Sequence, residues 1–75
     1  MEMESVFLDN LPDTANMILN ILWDKKEEMC NAELTEAVNE VYNRRWEKGL
    51  IQEFINLLIR MDYVEKKRHG FRVYY

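Results

Sequence analysis

Apolar residues recur along this chain with two rhythms, and the change from one to the other divides it. From Leu11 to about Trp23, the residues Leu11, Ala15, Ile18, Leu19 and Leu22 return to one side of a helix turning about 100° per residue. Pro12 is expected in the first turn of this helix, where a missing N–H is tolerated, and Asp13 suits the positive end of its dipole. A second helix is predicted beyond Met29, where Leu34, Ala37, Val38 and Val41 repeat at the same spacing. Cys30 or Asn31 stands where its N-cap belongs, and Glu33, three residues past Cys30, has the spacing of a capping box.

The stretch from Trp46 to Val64 carries the strongest pattern. Leu50, Ile51, Phe54, Ile55, Leu57, Leu58, Ile59 and Met61 fill a broad apolar arc, while Gly49, Gln52, Glu53, Asn56 and Arg60 share the remaining edge. One mostly buried third helix follows, ending at Asp62. Beyond it the rhythm shortens: Tyr63 to Tyr75 reads as two short strands with aromatic and β-branched residues on both arms and a turn near His69 and Gly70. The fold class expected is mainly α with a small β-hairpin, three helices and then the hairpin, over residues 11–75. Residues 1–10 form a polar and acidic lead-in, its first few residues mobile, with Val6, Phe7 and Leu8 as an anchor. Asp24 to Glu28 reads as a solvated charged loop, and Trp23, Trp46, Tyr63, Tyr74 and Tyr75 as core and interface residues.

Composition narrows the functions open to this architecture. Seventy-five residues lie near the lower limit for a self-supporting core, leaving little room for a buried catalytic cavity, so no enzyme is expected. A hydrophobic share of 48% excludes a disordered chain. The acidic start does not resemble a signal peptide, and no apolar run reaches the roughly 20 residues that cross a bilayer, so a cytoplasmic protein away from membranes is expected. A single cysteine, Cys30, and a single histidine, His69, provide neither a disulfide nor a metal cluster. No cofactor, metal or small-molecule substrate is expected, and a Cys30 and His69 nucleophile pair would lack an oxyanion loop.

The formal charge of −4 conceals a polarised chain. Residues 1–40 hold ten acids and two bases, whereas residues 41–75 hold four acids and eight bases. Screening confines exposed charges to about 8 to 10 Å, so a local basic surface decides whether phosphate can dock. Gln52, Asn56 and Arg60 on the polar edge of the third helix offer paired donors and acceptors suited to base edges or phosphate. Arg44, Arg45 and Lys48 lie near the start of that helix, where backbone N–H groups also attract phosphate. Lys66, Lys67, Arg68 and Arg72 crowd one small hairpin and are expected on the phosphate backbone.

The order of helix two, short connection, helix three and basic hairpin resembles a winged helix-turn-helix domain. Within that class the chain resembles the penicillinase-repressor family, bacterial repressors of β-lactamase, methicillin-resistance and copper-export operons. The matching residues are L-P-D at Leu11 to Asp13, I-L-N-I-L-W at Ile18 to Trp23 and E-L-T-E-A-V at Glu33 to Val38. Further matches are Trp46, I-Q at Ile51 and Gln52, N-L-L-I at Asn56 to Ile59 and the closing G-F-R-V-Y-Y. The resemblance implies a DNA-binding repressor that pairs on palindromic operators, with helix three in the major groove and the hairpin wing on the backbone. In that family a helical region after the winged helix makes the dimer. A chain ending at Tyr75 is accordingly expected to be a fragment, to pair differently, or to act alone. It departs from the family pattern at Glu47 to Leu50 and at Glu53, where small hydroxyl or basic residues are usual. Glu53 repels phosphate, and together with Leu50 and Leu57 at the edge of helix three it suits a rival reading, a winged-helix protein-interaction module.

Overall fold

The structure, a computed structural model, describes residues 5–75. It is mainly helical with one small antiparallel hairpin: α1 (Asp13–Lys25), α2 (Asn31–Tyr42), α3 (Lys48–Arg60), β1 (Lys67–His69) and β2 (Arg72–Tyr74). No helix is long and apolar enough to cross a membrane. The expected mobility of the first residues concerns a segment that lies mostly outside the described residues.

α1 is the centre of the molecule. Ala15, Ile18, Leu19 and Ile21 are fully shielded, and they pack with Leu34 and Val38 of α2 and with Ile51, Ile55 and Leu58 of α3. The burial of Met17 and Ile21 beside the expected stripe means that α1 is covered nearly all round. Its first helical residue is Asp13, with Pro12 just outside at the N-cap (φ −59°, ψ 153°), so proline precedes the first turn instead of lying in it. Trp23 does not close the core: it is 46% exposed, and Tyr63 is 38% exposed, because both lie at the open end of α1, where no described element covers them.

Two buried asparagines explain how residues 5–8 attach. The Asn20 amide accepts from Val6 N–H at 2.8 Å and donates to Val6 C=O at 2.8 Å. Asn16 does the same for Leu8, at 2.8 and 3.0 Å. Side chains four residues apart on a helix stand one above the other, and alternate residues of an extended chain face the same way, so the two amides act as the missing strand of a ladder. The anchor is the backbone: the side chains of Val6 and Phe7 remain exposed.

α2 ends in the left-handed residue Asn43 (φ 55°), and after α3 the chain turns at left-handed Asp62 (φ 63°), just past the Met61 cap; both side chains tolerate this region better than most. Arg44 N–H reaches back to Asn39 C=O and Tyr63 N–H to Leu58 C=O, both 2.9 Å, giving each exit its sharp turn. The hairpin pairs Lys67 with Tyr74, Arg68 with Val73 and His69 with Arg72, around the two-residue turn Gly70 and Phe71. Gly70 (φ 65°) supplies the positive φ that the first central position of such a turn requires. Beyond β2, Tyr75 and Met29 exchange two backbone hydrogen bonds, 2.9 and 3.2 Å. The hairpin is thereby tied to Met29, at the end of the segment between α1 and α2; Asp24 to Glu28 are exposed as expected, although Asp24 and Lys25 belong to the last turn of α1.

Candidate nucleic-acid interface

The exposed strip of α3 consists of Lys48, Gly49, Glu53, Asn56 and Arg60, the polar edge expected from the hydrophobic pattern, with Gln52 half-buried at its margin. Gln52 is engaged on both sides of its amide. Oε1 accepts from Asn31 Nδ2 at 2.8 Å, while Nε2 donates to Asn56 Oδ1 at 3.0 Å and to the Tyr75 hydroxyl at 3.1 Å. Asn31 in turn donates to Lys48 C=O at 3.2 Å and accepts from Thr35 Oγ1 at 2.8 Å. One amide network therefore clamps the start of α2, the first two turns of α3 and the end of the hairpin. It links Gln52 to Tyr75, just beyond the hairpin, and leaves the Asn56 Nδ2 group with no protein acceptor among the described residues.

Arg44 and Arg45 are exposed on the connection between α2 and α3. Asn39 shapes that connection by gripping Trp46 at both N–H and C=O, each 2.9 Å, and the Arg44 guanidinium stands 5.6 Å from the Trp46 ring. With Lys48 at the first position of α3, these bases gather near the helix N-terminus, while Arg60 lies at the opposite end.

Lys66, Lys67, Arg68 and Arg72 are all exposed, but the ladder divides them. Directly opposed residues share a face, so Lys67, His69, Arg72 and Tyr74 lie on one side of the sheet and Arg68 with Val73 on the other. The first side also meets a carboxylate. Glu28 Oε1 is 3.4 Å from Lys67 Nζ, and Glu28 Oε2 is 2.9 Å from His69 Nε2. Partial desolvation pushes the Glu28 carboxyl upward, but hydrogen bonds from His69 and Lys67 outweigh it and hold the group below its ordinary range. These side chains are 40–47% exposed at the lysine pair, so the contact is weak and phosphate can compete with it.

Glu28, Asn31, Tyr75 and Phe71 are the participants that sequence patterning leaves out. Phe71 stands fully exposed in the hairpin turn, one residue beyond the His69 and Gly70 turn expected. Among the described residues, no three metal-ligating side chains converge. Comparison with protein-family models, with curated proteins and with solved structures found no match, and the functional reading rests on the geometry above.

Proposed function

We propose that this chain is a winged helix domain of the penicillinase-repressor kind that binds duplex DNA and represses transcription, α3 entering the major groove and the hairpin acting as the wing. The observation that carries the reading is the amide network, because through Gln52 it joins the exposed polar strip of α3 to Tyr75, at the end of a hairpin bearing four exposed bases. Asn56 and Arg60 read base edges or phosphate, and Gln52 orients Asn56. Arg44, Arg45 and Lys48 hold phosphate at the helix start, and Lys66, Lys67, Arg68 and Arg72 fix register on the backbone. Two copies on a palindromic site would present two such helices to successive grooves.

The test is binding of the chain to a random-sequence duplex across a salt series. Replacing Lys67 and Arg72, which share one face of the ladder, together by glutamate is expected to weaken binding about 10- to 100-fold and to lower the salt slope by about 2, since each phosphate contact contributes close to one. A slope unchanged by the double reversal removes the hairpin from the interface.

Glu53 within the α3 strip and Glu28 against the hairpin favour a second reading, a winged-helix protein-interaction module with weak or no DNA binding. No DNA binding at low salt, combined with a dimer on a sizing column, selects it.

A further inference from the structure

The C-terminal end of α1 and the chain that follows α3 enclose an open groove of about 390 Å³, and of its lining the proposed DNA-binding role uses only Lys67 and Tyr75, at one edge. Its floor is apolar, with Leu22 and Val64, and its walls include the exposed rings of Trp23 and Tyr63. We propose that this groove docks a basic, partly apolar segment of a protein partner, an arginine or lysine side chain lying between Trp23 and Tyr63 and meeting the carboxylates of Glu27 and Glu65.

Charge complementarity selects the occupant. Three glutamates, including Glu28, and two lysines, Lys26 and Lys67, border the groove. Lys67 is already opposed by Glu28 at 3.4 Å, which leaves Glu27 and Glu65 against Lys26 alone. The last carbonyls of α1 add negative partial charge at the same place, because the C-terminal end of a helix favours cations. Aromatic faces attract arginine and lysine through their quadrupole, and the apolar floor accepts the hydrocarbon stems or a neighbouring aliphatic side chain. The walls are also set before any partner arrives: Asn10 Nδ2 donates to the Tyr63 hydroxyl at 3.2 Å, and Trp23 is carried by the helix itself. Glu27 and Glu65 repel phosphate, which argues against nucleic acid as the occupant of the groove itself.

The experiment is an NMR titration of the full 15N-labelled chain with two capped hexapeptides, one alternating leucine and arginine, the other alternating leucine and glutamate. Saturable shifts centred on the Trp23 indole and on Tyr63 to Glu65, with the basic peptide only, are expected. Affinity should fall at least fivefold in Glu27→Gln/Glu65→Gln, a variant of exposed residues whose unfolding midpoint should match that of the parent. Equal shifts with both peptides, shifts centred on the acids of α2, or affinity unchanged in the variant would overturn the proposal. So would groove shifts that depend on protein concentration without peptide, which would give the site to a second copy. The variant removes two charges that repel phosphate, so DNA binding is expected to be kept or slightly strengthened while peptide binding falls, and the two results stand apart.

Discussion

Two pairs of amide side chains, each four residues apart on a helix, make an instructive comparison. Asn16 and Asn20 on α1 are 1% and 3% exposed, and every polar atom of both amides is engaged within the chain. Gln52 and Asn56 on α3 have the same spacing and also bond to each other, yet Gln52 is half-buried and Asn56 exposed, and Asn56 retains donors with no acceptor among the described residues. The residue types and their spacing are alike; burial decides the role. An amide sealed in the interior can only brace, whereas one at the margin can brace and still present hydrogen-bonding capacity to a ligand.

The comparison is broken most severely at its buried end. Asn16→Ala removes one acceptor and the donors to Leu8, Leu11 and Pro12 C=O, leaving the Leu8 N–H and several carbonyls in a partly buried setting. Stability should fall by about 2 to 3 kcal/mol. For a domain of this size that corresponds to a drop in Tm of roughly 10 to 20 °C, read by thermal unfolding. A loss under a quarter of that would show that water replaces the amide freely and that residues 5–8 are not held by it.

The surface pair is sharpened by separating bracing from reading. Asn56→Ala is expected to reduce binding to a preferred duplex by about 1 to 3 kcal/mol, with little effect on random DNA and almost none on the unfolding midpoint. Gln52→Ala is expected to behave otherwise. It unties Asn31, Asn56 and Tyr75 together, so it should lower stability by about 1 kcal/mol and weaken binding to both duplexes, the preferred one more. If Gln52→Ala leaves the unfolding midpoint untouched and affects only the preferred duplex, it contacts bases itself, and the distinction drawn between the two residues fails.

The same contrast explains what could be read from residues alone. Helix spacing and the glycine turn made three helices and a hairpin legible, because burial of one stripe leaves a periodic trace and Gly70 marks a positive φ. The exposed strip of α3 was legible for the same reason. Asn16 and Asn20 were not, since a polar residue beside an apolar stripe looks like a solvated face until the segment that covers it is known. The pairing of Met29 with Tyr75, and of Glu28 with Lys67 and His69, joins residues more than 35 positions apart and has no periodic signature. Trp23 was misjudged for a related reason: its position on the helix was right, but whether another element covers that end is a property of the whole fold.

The smallest effect expected lies at the start of α2, between the two amide pairs. Glu33 Oε1 accepts from Cys30 N–H at 3.0 Å, and this backbone bond, more than any other influence, holds the Glu33 carboxyl below its ordinary range. A carboxyl whose folded pKa is depressed adds stability above its unfolded value and loses that contribution as pH falls through the folded value. Stability should therefore decline as pH drops below about 4, the ordinary glutamate range. Glu33→Gln keeps an acceptor at the third helical position but cannot take up a proton, so it should leave Tm at neutral pH nearly unchanged and make the acid decline shallower. Thermal unfolding of parent and variant at a series of pH values measures this. Parallel acid limbs would shift the proton uptake to another carboxyl, and Glu28, lowered by His69 and Lys67, is the first to examine by the same substitution.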